Sequence, residues 1–326
     1  MRAAVLDRPG AVTVRDVPCP EPAGRALVRV GQAGLCGTDV KIASGQIPVA
    51  TPRVLGHEMT GWVAESGRLP AGTPVLVNPA LFCGHCDLCR RGLPQLCRHG
   101  GLLGRDTDGC FAEFVAVRED CLHPLPDGLP GAGLLQVLST CVHAQSGLPD
   151  VASAVVIGLG VTGLLHLQLL ALRGVGTLVG VTRSAAKREL ALALGASLVA
   201  TPETAAAAVA EATGGRGAEL AVECAGTQET LAQAMQLAGA GGTVLVFGII
   251  PAAQALPTYE WYLKELTIRS PRAARPRDCD TAVALAASGR LELAQLVTAR
   301  FPLEDAARAL AACAGPGQLK VLLDVA

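Results

Sequence analysis

At 326 residues, half of them apolar, 17% charged and 3% aromatic, the chain has room for two domains and is too apolar to be disordered. Its 27 basic and 28 acidic residues leave a net charge of −1, which argues against a nucleic-acid surface. Twelve cysteines behind an N-terminus without a long apolar run predict a reducing, cytoplasmic setting and metal binding, not a disulfide framework.

Up to about residue 130 the chain reads as short strands broken by turns: Ala11–Val14, Ala26–Val30, Gly61–Ala64, Pro74–Val77 and Phe111–Val117. Such spacing predicts a barrel or sandwich. From about residue 135 apolar strands alternate with Ala/Leu helices. Strands are expected at Ala154–Ile157, Thr177–Val181, Leu198–Ala200, Leu220–Glu223 and Thr243–Phe247. Helices are expected at Leu164–Arg173, Ala185–Leu194, Ala205–Ala212 and Thr230–Ala238. That alternation predicts a doubly wound parallel sheet. The tail reads as helices Asp280–Ser288 and Leu303–Cys313, then a strand Lys320–Leu323. The uncharged stretch Val151–Leu172 is long enough to span a membrane, but Gly158, Gly160 and Gly163 interrupt it, so no membrane contact is expected.

Those glycines form Gly158-Leu159-Gly160-Val161-Thr162-Gly163 between a predicted strand and a predicted helix. In that setting they serve the tight turn, the close approach of a pyrophosphate and helix-on-strand packing. The next strand ends in Thr182-Arg183-Ser184, with Lys187 and Arg188 one turn on. An NAD site usually places an acid there for the ribose 2′-hydroxyl; a neutral Thr182 beside Arg183 suits a 2′-phosphate, so NADP(H) is preferred over NAD(H).

Cys83, Cys86, Cys89 and Cys97 have the spacing of a closed four-thiolate zinc site, which is structural because no position stays open. His85 inside this lobe reads as a turn residue. Cys36 in Gly34-Leu35-Cys36-Gly37-Thr38-Asp39, with His57 and Glu58, could supply a mixed, catalytic set.

Together with the run Leu103–Glu113 and the closing Lys320-Val321-Leu322-Leu323, these motifs resemble the zinc-dependent medium-chain alcohol dehydrogenase family over essentially the whole chain. The resemblance implies an α/β protein: a GroES-like β-barrel catalytic domain at residues 1–145 and 273–326, and a Rossmann coenzyme domain at 146–272. It implies two zinc ions per chain, with Cys36, His57 and Glu58 at the catalytic one, and a homodimer or homotetramer. Thr38 would handle the alcohol proton.

Three departures stand out. The remaining ligand position, seven residues before His143, is Gln136, as in some sugar dehydrogenases of the family; Cys141 is an alternative. Lys41 stands where relatives carry a relay histidine, and would relay a proton or bind a polar substrate group. The segment Glu65–Gly72 is short and reads as a trimmed turn. Arg269, Arg272, Arg275 and Arg277 read as a solvated face that could instead meet an anion. Trp62, Tyr259, Trp261 and Tyr262 fit core or pocket equally. The expected activity is alcohol–carbonyl interconversion on a small molecule, with substrate between the domains. Polyol, sugar or cyclitol oxidation and a zinc-free quinone or enoyl reductase are the rival enzyme readings, and a redox or nucleotide sensor is the non-enzyme one.

Overall fold

A computed structural model describes residues 1–250 and 256–326. The chain divides into two compact units, Met1–Thr140 with Ala273–Ala326, and Cys141–Arg272.

In the first unit the strands Leu122–Pro124, Pro74–Val77, Glu58–Glu65, Ala26–Gly34, Lys320–Asp324 and Val297–Pro302 lie side by side in that order, and Phe114–Val117 also pairs with Ala26–Gly34. All these neighbours run antiparallel except the last pair, Val297–Pro302 and Lys320–Asp324. The tail thus returns to the first unit, with Leu322 opposite Gly34. A smaller sheet joins Ala11–Asp16, Arg2–Arg8 and Arg53–Val54. Alternating Val, Ala and Leu from these strands fill one core with Phe111 and Ile42. Phe111 departs from the strand expected at 111–117, which begins only at Phe114. The backbone of Gly109, Cys110 and Phe111 bonds instead to Val54, Gly56 and Leu55. The Phe111 ring fills the place a Cβ at Gly56 would need.

The second unit is a six-stranded, wholly parallel sheet. Its order is Leu198–Ala200, Thr177–Val181, Ser153–Ile157, Ala218–Glu223, Ala238–Val246, Thr267–Arg269. The order reverses beside Ser153–Ile157, the switch point at which doubly wound sheets take ligands. Every residue of that strand is buried, which is why it reads as an unbroken apolar run. The uncharged stretch 151–172 is therefore this strand, a glycine turn and the helix Val161–Leu172. No helix among the described residues is long and apolar enough to cross a membrane. The architecture is the α/β arrangement expected, a mostly antiparallel β unit and a Rossmann-type parallel sheet.

Candidate metal and coenzyme sites

The loop between Ala80–Leu81 and Gly101–Leu102 brings Cys83, Cys86, Cys89 and Cys97 together, all four sulfurs within 4.8 Å of one another. Three sulfur pairs lie at 3.5, 3.9 and 4.0 Å. Sulfurs around a tetrahedral zinc at about 2.3 Å stand about 3.8 Å apart, whereas a disulfide needs about 2.05 Å. Backbone N–H groups point at the sulfurs, from Cys83 to Cys97 and from Cys86 to Cys83, each at 3.3 Å. Backbone bonds push the Cys86 thiol down to about 6, while burial pushes Cys89 up to about 12. Four crowded thiols with such opposed tendencies suit a cation that lets all of them ionise. His85 stays outside this set, exposed, with its ring bonded to the Cys83 carbonyl at 2.9 Å.

The second group gathers residues distant in sequence. Cys36 caps the helix Gly37–Ala43, its sulfur accepting from the Thr38 N–H at 3.5 Å. His57 and Glu58 sit at the start of the strand Glu58–Glu65, which pairs with Ala26–Gly34 so that Glu58 faces Gly34. A Cβ at Gly34 would lie 2.6 Å from Glu58 Oε2, so glycine makes the room. The ligand atoms of Cys36, His57 and Glu58 lie within 4.8 Å of one another. Asp39, completely buried, takes the His57 Nδ1 hydrogen at 3.2 Å and fixes the ring, an arrangement common behind metal-bound histidines. Burial opposes protonation of His57, but the charge and hydrogen bond of Asp39, with the Cys36 sulfur, outweigh it and hold the pKa well above the ordinary value. A divalent cation at this site would take over the role of that proton.

Sequence reading missed one member of this cluster. Lys320 Nζ donates to Glu58 Oε2 at 2.5 Å and to the Leu35 carbonyl at 3.0 Å. With Cys36 as thiolate, three anions (Cys36, Asp39, Glu58) face one ammonium. One divalent ion cancels the excess, so the donor set fits zinc. The available signal was a lysine, one of four in the chain, heading an apolar strand.

Gln136 lies in the first turn of the helix Leu135–Gln145, buried, its amide without a hydrogen bond among the described residues. Cys141 is on the same helix but donates to the Thr162 carbonyl and is absent from the clustered donors. Thr38 and Lys41 lie one turn apart on the Cys36-capped helix, both half-buried. The short segment Glu65–Gly72 is tied down through Glu119, which accepts from Ser66 and Gly67 at 2.6 and 2.7 Å.

In the parallel-sheet unit Gly158 has φ +88°, and a Cβ on Gly163 would lie 2.1 Å from the Gly158 carbonyl oxygen. A Cβ on Gly160 would meet nothing within 4 Å, leaving open the side from which a pyrophosphate approaches. Gly160 caps the helix without a side chain, which leaves the N–H groups of the first turn, Val161, Thr162 and Gly163, for an anion to meet. Leu159 is buried beside the turn. Thr182 follows the strand Thr177–Val181, and Ser184 caps the helix Ala185–Ala193 by accepting from the Lys187 N–H at 3.4 Å. Arg188 bonds the Thr182 and Arg183 carbonyls at 2.9 and 3.0 Å, stiffening the loop. Arg183 remains exposed.

The four arginines at 269–277 do not act as one patch. Arg269 bonds the Ser146 carbonyl and Arg275 grips Asp278 with two nitrogens, while Arg272 and Arg277 are exposed. Tyr259, Trp261 and Tyr262 lie outside the core: the helix Thr258–Lys264 buries none of its residues, and the tyrosines are 72% and 76% exposed. Trp62 is half-buried, with the Arg29 guanidinium 4.9 Å from its ring centre.

Two family descriptions match the chain: an alcohol dehydrogenase GroES-like domain at residues 22–127 and a zinc-binding dehydrogenase at 161–288. The chain belongs to the zinc-dependent medium-chain dehydrogenase/reductase family and is an enzyme of the dehydrogenase class. It is 32% identical to 2-dehydro-3-deoxy-L-galactonate 5-dehydrogenase of Pseudoalteromonas atlantica, covering 93% of this chain and 92% of that one. It is 29% identical to D-arabitol-phosphate dehydrogenase of Enterococcus avium, over 92% and 90% of the two chains. A zinc-binding dehydrogenase of Sinorhizobium meliloti 1021 bound to NADP superposes with a TM-score of 0.93 at 32% identity, covering 99% of both chains.

Proposed function

We propose that the protein interconverts an alcohol and its carbonyl compound by hydride transfer with NADP(H), and that the alcohol belongs to a polyol, sugar or sugar acid. The observation that carries this reading is the convergence of Cys36, His57 and Glu58, with Asp39 behind the histidine. Cys36, His57, Glu58 and Gln136 would hold the catalytic zinc; Cys83, Cys86, Cys89 and Cys97 would hold a structural one. When bound, zinc supplies Lewis acidity toward the substrate oxygen and the nicotinamide supplies or accepts the hydride. Thr38 receives the alcohol proton at its hydroxyl, two residues beyond Cys36. Lys41, one turn further, presents its ammonium to a hydroxyl, carboxylate or phosphate of the substrate.

In the coenzyme unit the N–H groups of Val161 and Thr162 receive the pyrophosphate, and Gly158, Leu159, Gly160 and Gly163 shape the turn around it. Arg183 and Lys187, beside Thr182 and Ser184, receive the 2′-phosphate; the NADP-bound relative supports this preference. The sugar-acid and arabitol-phosphate relatives support the substrate class. We place the protein in the cytoplasm, where both sets of thiols stay reduced. A homodimer or homotetramer is favoured by the exposed helix Thr258–Lys264 and the edge strand Thr267–Arg269.

The test is steady-state turnover of the zinc-loaded enzyme over a panel of polyols, sugar acids and their ketones, with NADP(H) and NAD(H). Turnover with at least about tenfold higher kcat/KM for NADP(H), reversed in Arg183→Asp, is expected. Equal use of both coenzymes by wild type and variant would remove the coenzyme assignment. Absence of turnover across the panel would remove the substrate class.

A further inference from the structure

The ammonium of Lys320 ties together two elements of the proposed metal site. It bonds the Leu35 carbonyl, next to Cys36, and one carboxylate oxygen of Glu58. Both side chains of this ion pair are almost completely buried, at 2% and 3% exposure. Three neighbouring strands hold the pair in register: Gly34 lies opposite Glu58 on one side and opposite Leu322 on the other. Burying two charges this way is costly, and an apolar pair of similar volume would serve stability as well. The pair therefore invites a role in the site it adjoins.

Resting on the reading of Cys36, His57 and Glu58 as ligands, we propose that Lys320 is a positioning residue for the metal. It holds Glu58 Oε2, so that Glu58 turns a single oxygen to the ion, and its charge offsets part of the negative charge of the donors. Removing that charge leaves Glu58 unpaired in the metal-free protein and free to give both oxygens to the ion. The metal is then held more tightly, and its more electron-rich shell makes it a weaker Lewis acid. A lysine that served only folding would, when lost, loosen the site instead.

The experiment compares wild type, Lys320→Met and Lys320→Arg, each purified as the zinc-loaded full chain, by following zinc release to a chromogenic chelator. The four-thiolate lobe provides an internal standard in every trace. Lys320→Met is expected to slow release from the Cys36 site about tenfold and to lower kcat about tenfold, with the lobe phase unchanged. Lys320→Arg, which keeps the charge, is expected to stay near wild type in both. With cobalt exchanged into the Cys36 site, visible absorption should shift in Lys320→Met and not in Lys320→Arg. If Lys320→Met does not accumulate, Lys320→Leu, which likewise removes both the charge and the hydrogen bond to Glu58, carries the same expectation. Unchanged or faster release from the Cys36 site in the neutral variants would overturn the proposal. A wild type holding zinc only in the lobe would instead overturn the ligand reading, and the proposal with it.

Discussion

The two donor clusters of the GroES-like unit use related chemistry in opposite ways. The Cys83–Cys97 lobe draws four identical donors from one short loop, and backbone N–H groups of that loop point at its sulfurs. The Cys36 cluster draws different donors from a helix cap and a strand start, then surrounds them with Asp39 and Lys320. A closed shell of four thiolates would have nothing left to offer a substrate, so its contribution would be to folding. A mixed shell keeps a position for chemistry, and charged groups around it set ligand orientation and the ion's electron demand. A site that only holds metal can be local, whereas one that must tune it calls on residues from across the fold.

Substitutions separate the two roles, and the largest effect is expected at the open site. His57→Ala should lower kcat/KM by about 10³-fold or more, with the lobe zinc retained. Cys97→Ser should do the reverse: loss of the lobe zinc and about 3 kcal/mol or more of stability by denaturant titration, with kcat within about tenfold of wild type. Similar activity losses in both would erase the distinction. Asp39→Asn keeps the volume but weakens the grip on His57. It should reduce metal affinity at the Cys36 site by about 10- to 100-fold, measured by competition with a chelator. The smallest effect belongs to Lys41→Met, which should raise KM about tenfold for a carboxylate- or phosphate-bearing substrate and leave KM for a neutral polyol nearly unchanged.

Local pattern carried much of the coenzyme unit. Thr177–Val181, Leu198–Ala200 and Ala205–Ala212 occur with the bounds the sequence predicts, because short apolar runs between turn residues leave few alternatives. The four lobe cysteines could be singled out because cysteine spacing is itself chemical information, whereas Cys36, His57 and Glu58, spread along the chain, were singled out through the family resemblance. Other features lacked a local signal. The helix Leu135–Gln145 emerges from a 3₁₀ turn and is buried on most sides, so it shows no clear amphipathic stripe. The strand Arg2–Arg8 carries a run of four buried residues flanked by charge, and pairs on both edges, so strict alternation is missing. The Lys320–Glu58 pair joins residues 262 positions apart, and only the sheet register brings them together. Arg188 looked like part of a phosphate fork, but its bonds to two loop carbonyls follow from a turn geometry that composition does not reveal.

The central claim, two metal sites of different purpose in one unit, meets its most direct test in the metal content of purified protein. Wild type should contain two zinc ions per chain, Cys36→Ser one, and Cys97→Ser one, with turnover surviving only where the Cys36 site is filled. A single zinc in wild type, or a Cys36→Ser protein that keeps two and turns over normally, would contradict it.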